Sequence, residues 1–109
     1  MVPDVHTLTD MPDQYGPGEV SDTLYETGGA AVERILSRGH TTDWYDQDHD
    51  EWVLVHRGAA RLEFGDGCEV HLRAGQHVLL PARLRHRVSW TAPDEDTVWV
   101  AVHLPAAAP

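Results

Sequence analysis

Lysine is missing from this chain. All eight basic residues are arginine, against 18 aspartates and glutamates, which gives a formal net charge of -10 over 109 residues. Because binding to phosphate groups needs a basic face, this balance argues against nucleic acid as a partner. It equally disfavours an anionic membrane surface.

Cysteine and long apolar runs are also scarce. The single cysteine, Cys68, excludes a disulfide within the chain, which fits a reducing compartment. No apolar run approaches the roughly 18 residues of a membrane-spanning helix, and the first ten residues lack the basic and apolar regions of a signal peptide. A chain of this length forms one domain by default. The sequence therefore predicts a single-domain cytoplasmic protein.

Short apolar or alternating runs, separated by glycine and proline turns, fill most of the chain. The clearest turn is Gly65-Asp66-Gly67, whose glycines supply the positive φ of a tight hairpin. The predicted strands are 21–26, 52–56, 61–64, 68–72, 77–80, 86–90 and 97–103. Short strands with turns about every eight to twelve residues indicate an all-β sandwich or barrel.

Three stretches are less regular. Residues 1–20 are rich in proline, glycine and aspartate, and they form either an irregular arm that wraps the domain or a second subunit, or a disordered tail. Residues 30–37 suit a helix by composition and a strand by alternation, with nearly equal weight. Residues 105–109 are expected to fray, which leaves 21–104 as the barrel.

Polar side chains crowd the stretch 44–58, at the start of a predicted strand. Glu51 is followed by Gly58 at the interval of the first motif of the cupin family, which the chain resembles. In that motif two histidines precede the glutamate. Tyr45 and Gln47 stand in their places here.

The second cupin motif matches at Gly75, Pro81 and His86. Arg83 stands where the family has a glycine, and Trp90 where it usually has an asparagine. The resemblance spans about residues 25 to 104. It implies a double-stranded β-helix, or jelly-roll barrel, in one domain, but it does not fix the chemistry because cupins host many unrelated functions.

The resemblance also implies a metal site. The family's ion is held by both histidines and the glutamate of the first motif and by the histidine of the second, so Glu51 and His86 transfer directly. Gln47 would offer an amide oxygen, and His49 a spare imidazole. Such a set suits Fe(II), Mn(II), Zn(II) or Ni(II). The alternative is a barrel whose metal site has decayed and whose pocket binds a small organic molecule.

Two further side chains are candidates for moving protons. Tyr45 is a predicted catalytic residue if it is not a metal ligand, with a packing role as the alternative. His77 is predicted to point into the barrel near His86 and to act as a ligand or as a general acid or base, since imidazole titrates near neutrality. A purely structural role for His77 carries equal weight.

Three residues are candidates for contacts with a substrate. Arg83, in the turn before His86, is expected to meet an anionic group. Trp90 lies four positions beyond His86, so strand alternation predicts that it faces the same interior. Trp99 is expected to join it in lining the pocket.

These residues support three functions. The first is a metal-dependent enzyme of the dioxygenase, isomerase, lyase or cyclase type that acts on a small polar organic molecule. The second is a non-enzymatic module that binds a small ligand, and the third is a metal-free epimerase or cyclase. The family resemblance and the exposed edges of sheets also predict a homodimer.

Overall fold

The computed structural model describes residues 1–10 and 18–105, and it contains two antiparallel β-sheets. Their strands are β1 (Gly18–Thr27), β2 (Ala30–Arg38), β3 (Glu51–Arg57), β4 (Ala59–Phe64), β5 (Glu69–Arg73), β6 (His77–Leu80), β7 (His86–Thr91) and β8 (Thr97–His103). In the described ranges no helix is long and apolar enough to cross a membrane. The predicted all-β class is confirmed.

The sheets differ in size. The larger one has five strands in the order β1-β2-β8-β3-β6, and the smaller one has three in the order β5-β4-β7. The last strand, β8, pairs with β2 on one side and β3 on the other, so it ties the two halves of the chain together. Because successive side chains leave opposite faces of a strand, each sheet turns one apolar face towards the other.

The core lies between these two faces. Its buried residues come from both sheets and are Val53, Val55, Ala60, Leu62, Leu72, Leu80, Trp99 and Ala101. Burying one aliphatic side chain of this size contributes about 1.5–3 kcal/mol. The alternation of the predicted strands therefore corresponds to a real division between the inside and the outside of the barrel.

Residues 30–37, for which the sequence left helix and strand open, form a strand. Both faces of β2 are occupied: Glu33 and Ile35 point between the sheets, whereas Arg34 and Leu36 are buried on the outer face. Pairing with β1 and β8 satisfies the backbone on both sides. Helix propensity is a weak preference that such tertiary pairing overrides.

The predicted strand bounds agree with the structure to within three residues. Strands β6 and β8 have the predicted bounds, and β1 begins at Gly18 rather than at residue 21. Residues 11–17 of the predicted arm and 106–109 of the predicted tail lie outside the described residues. The division into arm, barrel and tail stays a prediction.

Arg34 holds the N-terminal segment, residues 1–10, on the outer face of the larger sheet. Its Nε and Nη2 donate to the two carboxylate oxygens of Asp22 at 2.9 and 2.6 Å. Its Nη1 donates to the backbone carbonyls of Leu8 and Asp10 at 3.0 and 2.9 Å. The hydrogen bonds from Arg34 lower the pKa of Asp22.

The loop between β2 and β3, residues 39–50, runs along β7 and extends the smaller sheet. The amide of Thr42 donates to the carbonyl of Val88 at 3.0 Å. The backbones of Tyr45 and His86 exchange two hydrogen bonds, of 2.7 and 3.1 Å. These bonds place the polar stretch found in the sequence directly beside the histidine of the second motif.

The turn between β3 and β4 depends on Gly58. Its φ is +90°, and a Cβ here would lie 2.7 Å from the Cα of Thr97. The Thr97 hydroxyl accepts from the amide of Ala59 at 3.3 Å and donates to the carbonyl of Ala59 at 3.2 Å. This close approach of β8 to the turn requires a residue without a side chain.

Candidate active site

A cavity of about 360 Å³ lies between the sheets. Its apolar walls are Ile35, Val53, Leu62, Leu80, Val88 and Trp99. Its ionisable side chains are Glu19, Glu33, Tyr45, Glu51, His86 and His103. A volume near the lower end of the range for small-molecule sites, with a few polar groups over apolar walls, is typical of a ligand pocket.

Glu51 and His86 form the most buried ionisable pair of the cavity, at 7 % and 5 % exposure. The first residue of β3 and the first of β7 thus meet, with Glu51 Oε1 lying 3.9 Å from His86 Nε2. The Nδ1 of His86 donates to the carbonyl of Leu84 at 2.8 Å. A carbonyl only accepts, so a neutral His86 carries its lone pair on Nε2, facing Glu51.

Tyr45 lies at the mouth of the cavity. It is 41 % exposed, and its ring centroid lies 5.6 Å from that of His86. Burial raises the pKa of Tyr45, and the charges of Glu19, Glu51 and Glu33 raise it further. The phenol therefore keeps its proton at neutral pH and can donate a hydrogen bond to a bound molecule.

Gln47 lines the same cavity two residues further along the loop. Its backbone carbonyl accepts from the amide of Arg83 at 2.7 Å, which ties the loop to the turn before β7. The structure thus brings together four of the residues that the sequence singled out for metal binding or proton transfer: Tyr45, Gln47, Glu51 and His86. Trp99 lines this cavity as predicted, with its Nε1 donating to Ser37 Oγ at 3.1 Å.

Two glutamates of the cavity were not among the predicted site residues. Glu33 belongs to the segment that could have been a helix, and Glu19 to the predicted arm. Glu19 lines the cavity but is an exposed residue, so its burial is only partial. That partial burial raises the pKa of Glu19; the charge of His40 lowers it, and those of Glu33 and Glu51 raise it. The signal for Glu33 was its place on the same strand face as Ile35, two positions further on, but that signal needed the strand assignment first.

His49 lies outside the cavity, against His103 of β8. The Nε2 of His49 is 3.0 Å from the Nδ1 of His103, whose Nε2 is 3.1 Å from Glu33 Oε1. On its other side, the Nδ1 of His49 is 3.2 Å from Asp48 Oδ1. His103 lines both the cavity and a surface cleft that it shares with His49. The structure therefore does not bring His49 to Glu51 and His86.

His77 lies on the outer face of the larger sheet, which corrects its predicted inward orientation. The register pairs Val53 with Val78 and Leu54 with His77. Since Val53 is buried in the core, Val78 points inward and His77 outward. The exposed His77 ring instead accepts from Trp52 Nε1 at 3.2 Å.

Trp90 also points away from the cavity, and here a β-bulge is the cause. Leu62 pairs with Val88 but Arg61 with Trp90, so Ser89 is an extra residue in β7. A bulge shifts the alternation by one residue. Trp90 therefore leaves the face of His86 and packs against Arg61, whose Cζ lies 5.0 Å from the ring centroid.

Arg83 is exposed in the turn before β7 and does not line the cavity. It adopts a positive φ of 66°, in the left-handed region that favours the glycine of the family motif. Its guanidinium pairs with Asp46 at 3.6 Å, with 71 % of the side chain exposed. Arg83 is therefore not positioned to make the predicted contact with an anionic substrate inside the barrel.

The donor set of the cavity does not match a complete metal centre. Within residues 1–10 and 18–105, no three His, Cys, Asp or Glu side chains are grouped so that they could hold a metal ion. His86 and Glu51 could supply two ligands, and a third would have to come from the weaker amide oxygen of Gln47. Divalent Fe, Zn and Ni are ordinarily held by more imidazole or carboxylate groups than this.

Comparison with known proteins settles the family. The Cupin domain model matches residues 32–103, more than half of the chain. This chain is a cupin. The family suspected from the two motifs and the barrel expected from it are confirmed, although two ligand positions of the first motif carry other residues in this cupin.

Solved structures agree with this assignment. A protein of Ralstonia eutropha JMP134, named "putative mannose-6-phosphate isomerase", is 40 % identical to this cupin with a TM-score of 0.87, over 95 % of this chain and 100 % of that one. A cupin domain of Bordetella pertussis Tohama I is 23 % identical with a TM-score of 0.67, over 85 % and 99 %. KdgF of Halomonas sp. is 20 % identical with a TM-score of 0.72, over 87 % of each chain. The last two show the fold alone, and none of the curated proteins matches the chain.

Proposed function

We propose that this cupin is an isomerase-type enzyme that moves protons on a small polar organic molecule in the barrel cavity. The observation that carries the proposal is the Glu51–His86 pair. Both side chains are over nine-tenths buried, and the 3.9 Å between Glu51 Oε1 and His86 Nε2 is too long for a hydrogen bond. A pair held apart in this way can engage a substrate atom rather than each other.

The residues can divide an isomerisation between them. Glu51, or His86 through its Nε2 lone pair, accepts a proton from the carbon next to a substrate carbonyl. The electron pair of the broken C–H bond moves towards the carbonyl oxygen, where the phenol of Tyr45 donates a hydrogen bond to the developing charge. Return of that proton to the former carbonyl carbon, together with transfer of the hydroxyl proton on the first carbon to the former carbonyl oxygen, completes the isomerisation of a hydroxy carbonyl compound and restores the base.

The similarity to the Ralstonia protein supports the reaction class, because its name is that of an isomerase. The same name specifies a phosphorylated sugar, and the cavity of this chain argues against that part. No Arg or Lys occurs among the described residues that line the cavity. A phosphate dianion would lie among carboxylates without the bidentate partner that such groups usually have.

The metal-dependent form that the family resemblance implies is not part of this proposal. It requires Gln47 to complete a set in which only Glu51 and His86 are strong ligands, and we therefore assign no step to a metal ion. The residues that would hold Fe(II), Mn(II), Zn(II) or Ni(II) are these three. Measuring the metal content of the protein after incubation with these ions tests this form directly.

Deuterium exchange tests the proposed function. Aldoses, ketoses and their amino and phosphate derivatives are incubated with the protein in D2O, and deuterium at the carbon next to the carbonyl is followed by NMR. We expect exchange in at least one compound and a loss of about 10²- to 10⁴-fold in Glu51→Gln and His86→Gln. The control is Glu95→Gln, in the exposed loop between β7 and β8. Exchange that Glu51→Gln leaves intact, or no exchange with any compound, contradicts the proposal.

A further inference from the structure

The charges inside the cavity are unbalanced. Glu19, Glu33 and Glu51 belong to three different strands and line one space. The lining described above offers no guanidinium or ammonium group against them. Arg34, next to Glu33 in sequence, points to the opposite face and is held by Asp22 there.

The two histidines of the cavity, while neutral, do not supply the missing positive group. His103 is engaged by Glu33 on one ring nitrogen and by His49 on the other. His86 donates its Nδ1 proton to a backbone carbonyl. Neither ring therefore offers the cavity an unused N–H group while it is neutral.

We propose that the molecule bound in this cavity carries a positively charged amine, which lies among the carboxylates of Glu19, Glu33 and Glu51. The proposal rests on the proposed function in that it concerns the same site, and it names the substrate class. If the cavity binds a molecule without catalysing a reaction, the same proposal names the chemical class of that ligand.

Glu51 supplies an observation that does not depend on the count of acidic residues. It is 7 % exposed and lines the cavity, and its charged neighbour there is His86, whose Nε2 lies 3.9 Å from Glu51 Oε1, beyond hydrogen-bond distance. A buried carboxylate without a hydrogen-bond partner is costly unless a positive group or a donor comes to it. An ammonium group supplies both, with three N–H donors around one charge.

Glu19 points to the same chemistry. Its pKa is raised by burial, lowered by the charge of His40 and raised again by the charges of Glu33 and Glu51, so the carboxylates that line the cavity repel one another. An ammonium among them removes part of that repulsion. A phosphate or carboxylate on the ligand adds to it.

The walls suit the rest of such a molecule. Trp99 and Tyr45 offer aromatic rings within the same cavity, and Leu62 and Val88 offer aliphatic surface. An ammonium group is attracted to an aromatic face as well as to carboxylates. In a small molecule with a short carbon skeleton and an amine, the carboxylates and aromatic rings would bind the ammonium group and the aliphatic walls would contact the carbon chain.

Matched ligands that differ only in charge test the proposal. Dissociation constants are measured by calorimetry at neutral pH, with and without EDTA, for glucosamine, glucose and gluconate and for aminobutanol, butanediol and hydroxybutanoate. In at least one series we expect the amine to bind about tenfold or more tightly than its neutral partner, and the acid not to bind. Glu33→Gln should weaken the amine about tenfold and leave the neutral compound unchanged, whereas Glu95→Gln should change neither.

The proposal is overturned if the neutral or acidic member of each series binds as tightly as the amine, if no amine binds, or if EDTA abolishes amine binding. Circular dichroism of Glu33→Gln guards against a folding defect, and Glu19→Gln provides a second cavity variant. Binding of the amine without deuterium exchange in any compound supports this inference and contradicts the proposed enzymatic function. Deuterium exchange only in neutral or anionic compounds supports the enzymatic function and contradicts this inference.

Discussion

Replacing Arg34 with methionine tests how the N-terminal segment is fixed to the barrel. Breaking a buried ion pair typically costs about 3–5 kcal/mol, because the remaining charge is left unpaired. The Asp22 side chain is 37 % exposed, so water replaces part of the lost interaction. We therefore expect Arg34→Met to lower the free energy of unfolding by ~2–3 kcal/mol, with the carbonyls of Leu8 and Asp10 losing their donor as well.

Urea and thermal unfolding followed by circular dichroism measure this loss. For a domain of this size it corresponds to a fall in Tm of roughly 10–20 °C. The control is Arg73→Met, an exposed arginine at the end of β5, which should stay within about 0.5 kcal/mol of the wild type. A value for Arg34→Met as small as that of the control refutes the reasoning.

The pH dependence gives an independent check of the same pair. The folded-state pKa of Asp22 is lowered by its hydrogen bonds from Arg34, so its contribution is present above the ordinary aspartate pKa and is lost as the pH falls through the folded-state value. The difference in stability between the wild type and Asp22→Asn should therefore shrink below pH ~4. A difference that grows on acidification contradicts the assignment.

Two further predictions concern the β3–β4 turn and the metal. Gly58→Ala should lower the free energy of unfolding by more than about 2 kcal/mol, because strain at positive φ is joined by the contact with Thr97. Gly67→Ala, at a φ of +89° with nothing near its Cβ, should cost only the strain of about 1 kcal/mol, and equal costs in urea unfolding would refute the clash. After incubation with Fe(II), Mn(II), Zn(II) or Ni(II), mass spectrometry should find well below one ion per chain. Stoichiometric metal that is lost in His86→Ala would instead restore the metal-dependent form.

The sequence was sufficient where a spacing fixes geometry. Glu51 and His86 were found from the two motif intervals, and the barrel brings them within 3.9 Å although 35 positions separate them along the chain. Tyr45 and Gln47 followed from the same count, because the backbone bridge between Tyr45 and His86 holds the loop in register with β7. The predicted cytoplasmic location and homodimer stay predictions.

Orientation was less predictable, because it depends on pairing that a single strand does not encode. Alternation from His86 to Trp90 fails at Ser89, since the bulge is a property of β7 against β4 and not of either sequence. His77 could be assigned to a face only once β6 was paired with β3. Glu33 became a cavity residue only when its segment became a strand.

His103 gives the cavity an unusual boundary. One imidazole separates the interior of the barrel from the cleft beside Gly29 and Pro105, and its position depends on hydrogen bonds with Glu33 on the inside and His49 on the outside. The same side chain therefore belongs to both linings. Rotation of the ring would break its hydrogen bonds with Glu33 and His49 together and would change the shape of the cavity and of the cleft at once.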